Sequence, residues 1–325
     1  MRAFVVAAEN DTVTLRVADE PQPSEGDVVI RVEWSGVNFK DSMVVAPKSR
    51  VRRAERLIGG VDAAGIVVAP RSHELPVGTR VAVHGGDMGV GRNGGFAEFV
   101  SSPARYVTAL PHNISTRAAM VLGTAGFTAL ASILALEHHG MRTEDGEVLV
   151  TGATGGVGSW AVAALAARGY NVVASTGSQA SVAWLHAHGA TSVIGRDEIA
   201  DRPDRVLATE RWAGAIDCVG GDTLHQILRS LRYGSAVAAS GLVASADLAT
   251  NVYPFITRSV ALLGIDAVEA SPVTRAATWQ LASEVVDRID VDALVDSEIQ
   301  LEDLPQALET ISKGETRGRV LVRPV

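Results

Sequence analysis

Residues 147–158 constrain the fold of this chain more than any other stretch. They read Glu-Val-Leu-Val-Thr-Gly-Ala-Thr-Gly-Gly-Val-Gly, and the helix-favouring segment 159–168 follows them. A strand, a glycine turn and a helix in this order can bind an anion, because glycines let the backbone approach a pyrophosphate and a helix N-terminus favours negative charge. The stretch therefore predicts a dinucleotide ligand.

The motif alone fits either a ligand site or an ordinary strand-to-helix connection. The segments on either side of the turn distinguish the two. Ala153 occupies the first glycine position of the G-x-G-x-x-G pattern. However, Gly169 and the apolar run 170–175 complete a βαβ unit, and strands and helices continue to alternate to about residue 241. This alternation predicts a parallel sheet with helices on both faces. Ligands bind at the carboxyl ends of such strands, so we expect these residues to border the cofactor: Thr154, Gly155, Gly156, Val157, Val219, Gly220, Ser240, Gly241 and Leu242.

The end of the second strand indicates which dinucleotide is bound. Sites that prefer NAD usually place a carboxylate about twenty residues beyond the glycines, where it binds the ribose 2′-hydroxyl. Here the strand ends in Ser175, Thr176, Gly177 and Ser178, and Arg196 follows the next strand. Hydroxyl groups and an arginine favour a 2′-phosphate, so the sequence predicts NADP(H). Ser178 can also simply cap the next helix.

Composition limits the class of protein. The 325 residues are enough for two domains, and the net charge of -8 argues against general nucleic-acid binding. The longest apolar runs are shorter than the roughly 18 residues of a membrane span, and the first ten residues are too short in apolar length for a signal peptide; a cytoplasmic protein is expected. The single cysteine, Cys218, excludes an internal disulfide and a cysteine-rich zinc site. We favour a buried strand residue over a nucleophile for it.

The part before about residue 120 is rich in short strands, at 28–34, 65–68, 80–83 and 96–100, which predicts a compact barrel-like domain. Directly after the first of these strands come Asn38, Phe39, Lys40 and Asp41, which place an amide, an aromatic ring, an amine and a carboxylate together. This group is either a capped helix start or part of an active site. The basic cluster at 48–56 is either a solvated face or a phosphate-recognition patch.

Taken together, several motifs resemble one known family over essentially the full chain. The chain is similar to the medium-chain dehydrogenase/reductase superfamily, within it to the zinc-independent quinone-oxidoreductase-like branch and the acrylyl-CoA reductase (AcuI/YhdH/YhfP) group. The motifs that carry the resemblance lie at 38–41, 60–65, 123–128, 145–146, 151–158, 212–217, 254–256 and 318–319.

The resemblance implies an α/β fold with a GroES-like β-rich catalytic domain at 1–122 and 256–325, and a Rossmann NADP(H)-binding domain, a doubly wound parallel sheet, at 123–255. It also implies hydride transfer from NADPH to an activated carbon–carbon double bond, a homodimer joined through the Rossmann sheets, and no catalytic zinc, since Val61 stands where zinc alcohol dehydrogenases carry a ligand histidine. Further cofactor contacts are implied for Phe39, Thr128 and Arg319. Phe39 replaces a tyrosine that is common in the group, and Ser178 replaces an arginine.

The resemblance gives the residues of the helix start specific roles. Asn38 is expected to donate a hydrogen bond to the substrate, Lys40 to stabilise developing negative charge, and Asp41 to orient Lys40, with water as the proton donor. Arg50, Arg52 and Arg53 are expected to bind the phosphates of a CoA thioester. The alternatives are an NADPH-dependent quinone or enone (alkenal) reductase, which would not need those arginines, and a non-catalytic NADPH-binding structural protein.

Overall fold

A computed structural model describes residues 1–9, 12–23, 28–70, 75–201 and 205–325. The chain divides into two compact units. Unit 1 comprises Met1–Ala125, Val268–Ser283 and Val291–Val325, and unit 2 comprises Gly126–Ala267 and Glu284–Asp290.

The described residues form sixteen β-strands. They are β1 (Arg2–Glu9), β2 (Thr12–Asp19), β3 (Val28–Val37), β4 (Arg56–Ile58), β5 (Asp62–Ala69), β6 (Arg80–His84), β7 (Phe99–Ser102), β8 (Val107–Ala109), β9 (Glu147–Val150), β10 (Asn171–Ser175), β11 (Ser192–Ile194), β12 (Gly214–Asp217), β13 (Ala236–Ala239), β14 (Ala261–Gly264), β15 (Val295–Gln300) and β16 (Arg319–Arg323).

The same residues form eight α-helices: α1 (Phe39–Val45), α2 (Thr116–His139), α3 (Gly156–Ala167), α4 (Val182–Ala187), α5 (Gly221–Ser230), α6 (Tyr253–Arg258), α7 (Pro272–Val285) and α8 (Leu304–Ser312). Short 3-10 helices lie at Ala104–Tyr106, Thr143–Asp145, Gln179–Ser181, Arg196–Glu198, Val286–Arg288, Asp292–Leu294 and Leu301–Asp303.

Unit 1 contains two β-sheets, as the strand-rich N-terminal sequence predicts. One has the order β2-β1-β4, and the other the order β15-β16-β3-β5-β6-β8, with β7 also paired with β3. Alternation along β3 explains its position in the larger sheet: Val28, Ile30 and Val32 are buried while Arg31 is exposed. These apolar side chains pack with others from β5, β6 and β7 in one core cluster. The β-rich domain is therefore confirmed.

Unit 2 is built around one six-stranded parallel sheet with the order β11-β10-β9-β12-β13-β14. The chain runs outward from β9 to β11 and then returns to the other side of β9 to continue with β12, β13 and β14. The strand order thus reverses between β9 and β12, and this reversal is the point where doubly wound sheets bind dinucleotides. The Rossmann-type parallel sheet is confirmed.

The limits of unit 2 differ from the sequence prediction, which assigns 123–255 to the Rossmann domain. Unit 2 begins at Gly126 and continues to Ala267. The C-terminal difference has a clear structural cause, because the sixth strand, β14, lies beyond residue 255 and pairs in parallel with β13.

Among the described residues, one helix, α2, is long and apolar enough to cross a membrane by length and composition alone. Its most apolar window has a mean hydropathy of 1.9, and 83% of that window is buried inside the fold. Burial of this extent is what a core helix of a globular protein shows, so the apolar composition of α2 is accounted for by packing.

Candidate active site

A buried polar network in unit 1 is centred on Asp62, the first residue of β5. The Asp62 carboxylate accepts a hydrogen bond from Asn38 Nδ2 at 2.8 Å. It also accepts bonds from the Thr124 backbone N at 2.9 Å and from Thr124 Oγ1 at 2.5 Å. Because Asp62 is fully buried, these donors replace the water that its side-chain oxygens would otherwise bind.

Arg319 completes this network. Its Nη2 lies 3.4 Å from Asp62 Oδ2, and its Nη1 donates to Asn38 Oδ1 and to the Val37 carbonyl, both at 3.1 Å. Its Nε donates to the Val121 carbonyl at 3.1 Å. Burial lowers the pKa of the Arg319 guanidinium from its ordinary value, and the neighbouring carboxylates oppose that shift. Arg319 is a predicted cofactor-binding residue; its side chain is 2% exposed, and these hydrogen bonds go to partners inside unit 1.

Gly123 makes room for this pair. It has a φ of 50° and interrupts the helical backbone of α2. A Cβ atom at this position would lie 2.5 Å from Asp62 Oδ2 and 2.6 Å from Arg319 Nη2. The break frees the backbone N–H of Thr124 to bond Asp62. Sequence reasoning missed Asp62 as a site residue, although a lone acid in the apolar run 61–64 was a visible signal.

The start of α1 holds all three predicted catalytic residues, of which Asn38 and Asp41 are buried. Asp41 accepts hydrogen bonds from the backbone N of Asn38 at 2.8 Å and of Val61 at 3.0 Å, and burial raises the pKa of its carboxyl group to about 7. Its oxygens therefore bind backbone amides, which corrects the expectation that Asp41 orients Lys40. Asn38 is expected to donate a hydrogen bond to the substrate. In the structure, its side-chain amide already donates to the Asp62 carboxylate and, at 3.3 Å, to the Gly36 carbonyl.

Phe39 and Lys40 are the partly exposed members of this motif. Within the described part of the chain, the Lys40 ammonium makes no hydrogen bond or ion pair. Asn38 and Asp41 hold the start of the helix that carries Lys40. Because the Lys40 ammonium has no partner among the described residues, it is available to a negatively charged ligand.

The glycine turn of unit 2 has the geometry of an anion cradle. Gly152 adopts a φ of 57°, and α3 begins at Gly156 with its free N–H groups. A Cβ atom at Gly158 would lie 2.3 Å from the Gly152 carbonyl oxygen, so the turn packs against the helix only with glycine there. Thr154, Gly155, Gly156 and Val157 are partly exposed at this helix N-terminus. The turn therefore fits a pyrophosphate.

Asp217 holds the carboxyl ends of β9 and β12 together, at the reversal of the strand order. It accepts a hydrogen bond from Thr151 Oγ1 at 2.6 Å and from the Gly220 and Val219 backbone N atoms at 2.8 and 3.3 Å. Burial raises the pKa of Asp217, and these hydrogen bonds oppose the shift. Sequence reasoning missed Thr151 and Asp217, which shape the turn without reaching its surface.

The carboxyl end of β13 adjoins that of β12. The backbone N atoms of Ser240 and Gly241 donate to the Asp217 carbonyl, at 3.0 and 3.3 Å. Among the described residues the buried Ser240 hydroxyl has no hydrogen-bond partner beyond a weak interaction with the Cys218 thiol, so it can serve a ligand. Burial raises the pKa of Cys218, which leaves it a poor nucleophile. Leu242 is half exposed.

The carboxyl end of β10 carries the residues predicted to read the 2′-position. The Thr176 hydroxyl accepts from the Ser178 backbone N at 3.0 Å, and the Ser178 hydroxyl pairs with Ser181 Oγ at 3.0 Å. Ser175 is buried, and its hydroxyl donates to the Gly195 carbonyl at 3.5 Å. Thr128, predicted to contact the cofactor, is also buried, on α2.

The three arginines predicted to bind CoA phosphates differ in their surroundings. Arg52 Nη1 donates to the Val44 carbonyl at 2.6 Å and to the Ala46 carbonyl at 3.2 Å, so this side chain holds its own loop. Arg50 and Arg53 are exposed. The structure therefore leaves Arg50 and Arg53 as the phosphate-binding candidates and assigns Arg52 a structural role.

Two family models match the chain. Residues 24–112 match the alcohol dehydrogenase GroES-like domain, and residues 156–288 match the zinc-binding dehydrogenase domain. The second description implies a metal, yet the described residues contain no group of three or more His, Cys, Asp or Glu side chains that could hold one. These described residues therefore do not fit a zinc ion.

Curated relatives and solved structures match nearly the whole chain. The putative quinone oxidoreductase YhfP of Bacillus subtilis is 42% identical over 94% of this chain and 93% of its own, and the probable acrylyl-CoA reductase AcuI of Escherichia coli is 40% identical over 95% of each. The crystal structure of E. coli YhdH with bound NADPH has a TM-score of 0.94 at 38% identity, covering 99% and 100% of the two chains. That of B. subtilis YhfP with NAD bound has a TM-score of 0.95 at 41% identity, covering 99% and 98%. This chain is thus an oxidoreductase that belongs to the quinone-oxidoreductase-like medium-chain dehydrogenase/reductase family.

Proposed function

We propose that this oxidoreductase uses NADPH to reduce the activated carbon–carbon double bond of an acrylyl-CoA-type enoyl thioester, without a metal. The observation that carries the proposal is accessible positive charge on unit 1: Arg50 and Arg53 are exposed, and Lys40 is partly exposed with no hydrogen bond or ion pair among the described residues. A relative named as a probable acrylyl-CoA reductase, 40% identical over 95% of this chain, supports the choice of thioester.

The preference for NADP(H) is part of this proposal. The carboxyl end of β10 carries hydroxyls and no acid, and the exposed Arg196 follows β11. A carboxylate there would repel a 2′-phosphate, whereas an arginine attracts one. One similar structure has NADPH bound and another has NAD bound, so the preference proposed for this chain rests on its own residues after β10 and β11.

The reaction places specific demands on the protein. NADPH, when bound, supplies a hydride to the β-carbon of the thioester, and the resulting enolate carries negative charge on the carbonyl oxygen. Lys40 stabilises that charge, because its ammonium has no other partner among the described residues. Asn38 and Asp41 position the helix start that carries Lys40. Phe39 lacks a hydroxyl, so a water molecule donates the proton to the α-carbon.

Oxidation of NADPH with four acceptors side by side tests the function: acrylyl-CoA, crotonyl-CoA, a simple enone and a quinone, with NADH as the control. We expect kcat/KM for acrylyl-CoA to exceed that for the enone and the quinone by orders of magnitude, and Lys40→Met to lower kcat. Equal or better turnover of the enone or quinone would support the alternative, a general NADPH-dependent quinone or enone reductase. Tight NADPH binding with no turnover would support a structural protein.

Neutralising the exposed arginines is expected to raise KM for the CoA thioester. Arg50→Ala and Arg53→Ala each remove one charge-assisted contact to phosphate, which we expect to raise KM about 3- to 10-fold at an exposed site and leave kcat unchanged. KM for the uncharged enone is expected to stay constant. Arg16→Ala, an exposed arginine of unit 1 on β2, is the matched control. A similar rise in KM for both substrates would refute the phosphate-binding role.

We also propose a homodimer joined through the sheets of unit 2. β14 is an edge strand of that sheet, and Leu262 on it is 38% exposed. Ile256, Tyr253 and Val252 nearby in sequence are more than half exposed, so unpaired backbone groups and apolar side chains are both available for pairing. Light scattering is expected to give a dimer mass for the native chain and for Val206→Asp, and a monomer mass for Leu262→Asp. A dimer that survives Leu262→Asp would exclude this interface.

A further inference from the structure

Asp217 joins the turns that follow three adjacent strands of unit 2, β9, β12 and β13. Its carboxylate accepts hydrogen bonds from Thr151 Oγ1, which follows β9, at 2.6 Å and from the Gly220 backbone N, which follows β12, at 2.8 Å. Its backbone carbonyl accepts from the backbone N atoms of Ser240 and Gly241, which follow β13, at 3.0 and 3.3 Å. A single residue therefore sets the spacing of all three turns.

The Thr151 hydroxyl extends this constraint to the glycine turn. Thr151 directly precedes Gly152, whose φ is 57°. A Cβ atom built at Gly152 would lie 3.2 Å from Cys218 Cβ, so the turn packs against the residue that follows Asp217. The hydroxyl donates to Asp217 and accepts from the Cys218 backbone N at 3.2 Å, so both of its roles are used and its orientation is fixed.

The Asp217 carboxylate is buried without a counter-ion. Among the described residues it makes no ion pair, and its donors are all neutral: the Thr151 hydroxyl and the backbone N–H groups of Val219 and Gly220. Burial raises the pKa of this carboxyl group, which means that burial disfavours the ionised form. A neutral side chain would be easier to bury here, so stability alone does not account for the acid.

A carboxylate offers something that its neutral analogue does not. When it is ionised, both of its oxygens only accept, so Asp217 can bind the Thr151 hydroxyl on one side and the Gly220 N–H on the other. Asparagine has the same shape, but it would turn an NH₂ group toward one of these donors. The turns after β9 and β12 therefore keep their spacing only when residue 217 accepts on both sides.

We propose that Asp217 is a positioning residue for the dinucleotide, because it aligns the glycine turn with the turns after β12 and β13. Asp217 acts through the backbone of these turns and does not itself contact the ligand. The proposal rests on the dinucleotide binding of the proposed function but not on its preference for NADP(H), since the residues assigned to the 2′-phosphate follow β10 and β11. Asp217 is therefore expected to affect NADP(H) and NAD(H) alike.

The charge of Asp217 makes the direction of the effect informative. A negative charge near the glycine turn repels a pyrophosphate. If charge were the main effect, Asp217→Asn would strengthen dinucleotide binding, whereas loss of the alignment weakens it. Two changes at Thr151 separate these effects without altering charge: Thr151→Val removes the hydroxyl, and Thr151→Ser keeps it.

The experiment is a calorimetric titration of NADP⁺ and NAD⁺ into the native chain, Asp217→Asn, Thr151→Val, Thr151→Ser and the Asp217→Asn/Thr151→Val double variant. Asp217→Asn and Thr151→Val are each expected to weaken both dinucleotides about 3- to 10-fold, the range of one hydrogen bond in a buried network. Thr151→Ser is expected to bind like the native chain. The double variant is expected to lose less than the product of the two single effects, because both act through one hydrogen bond.

Asp201 and Thr209 provide a matched control in unit 2. Asp201 Oδ2 accepts from Thr209 Oγ1 at 2.7 Å, and Oδ1 accepts from the Thr209 backbone N at 2.8 Å. Both residues are exposed and lie between β11 and β12, before β12 begins. Asp201→Asn and Thr209→Val remove the same chemical groups and are expected to leave dinucleotide affinity unchanged. The free energy of unfolding of every variant is measured without cofactor.

The outcomes separate positioning from a purely structural role. A lower free energy of unfolding with unchanged affinity for both dinucleotides in Asp217→Asn and Thr151→Val would overturn the proposal. Tighter binding by Asp217→Asn would also overturn it, because the charge would then matter more than the hydrogen bonds. Equal affinity of the native chain for NADP⁺ and NAD⁺ would overturn only the NADP(H) preference of the proposed function. A native chain that binds neither dinucleotide would overturn both proposals.

Discussion

Replacing Arg319 with alanine is expected to lower the free energy of unfolding of unit 1 by about 3–5 kcal/mol, the cost of removing one partner from a buried ion pair. The Asp62 carboxylate would remain fully buried and lose its only cationic partner within the described network. Its bonds from Asn38 and Thr124 would remain and would compensate part of this cost. The carbonyls of Val37 and Val121 would each lose a donor as well.

Urea denaturation combined with hydrogen exchange, which resolves the amides of unit 1 from those of unit 2, measures this effect. Arg323→Ala is the matched control, because Arg323 lies on the same strand with an exposed side chain whose guanidinium lies 4.7 Å from the centroid of the Trp34 ring; for an exposed cation–π contact we expect a change of about 0.5–1 kcal/mol. Asp62→Asn combined with Arg319→Met removes both charges and should cost less than the sum of the two single changes. Equal losses for Arg319→Ala and Arg323→Ala would show that the buried pair contributes little.

The effect of Arg319→Ala on activity follows from the same contacts. Arg319 Nη1 and the Asp62 carboxylate bind opposite ends of the Asn38 amide, and Asn38 begins the helix that carries Lys40. Loss of the guanidinium therefore removes one of the hydrogen bonds that hold Asn38 at the start of α1, the helix that carries Lys40.

The regular elements of this chain were predictable from the sequence because their signals are local. The strand expected at 28–34 lies within β3 (Val28–Val37), and the strand expected at 80–83 lies within β6 (Arg80–His84). The parallel sheet of unit 2 followed from alternating apolar runs and glycine turns, which operate over a few residues. The strand expected at 96–100 is shifted, since β7 begins only at Phe99 and ends at Ser102.

The polar network was not predictable in the same way, because its partners are far apart in sequence. Asp62 meets Asn38 across 24 residues, Thr124 across 62 and Arg319 across 257. No periodicity or motif spacing reports contacts of this range. Arg52 shows the converse limit: its charge was visible in the sequence, but only its hydrogen bonds to the Val44 and Ala46 carbonyls show that it holds its own loop.

Asp41 is expected to give unit 1 an unusual dependence of stability on pH. Burial raises the pKa of its carboxyl group from 3.8 to about 7 in the folded state. Between these values the folded state binds a proton that the unfolded state has released, so stability falls as pH rises from about 4 to 7 and levels off above the folded pKa. The full contribution is on the order of 4 kcal/mol, from 1.36 kcal/mol for each pKa unit.

The free energy of unfolding of the native chain and of Asp41→Asn, measured from pH 4 to 8, tests this expectation. Asparagine keeps one acceptor for the backbone N–H of Asn38 or Val61, but it cannot titrate. The native chain's advantage in free energy of unfolding over the variant should therefore be largest at pH 4 and should narrow toward pH 8. Asp303→Asn is the matched control, because Asp303 binds the Gln300 backbone N at 3.0 Å at another helix start of unit 1 and is exposed. An advantage that instead widens with rising pH would mean that the two backbone hydrogen bonds to Asp41 outweigh its burial and that its carboxyl group folds ionised.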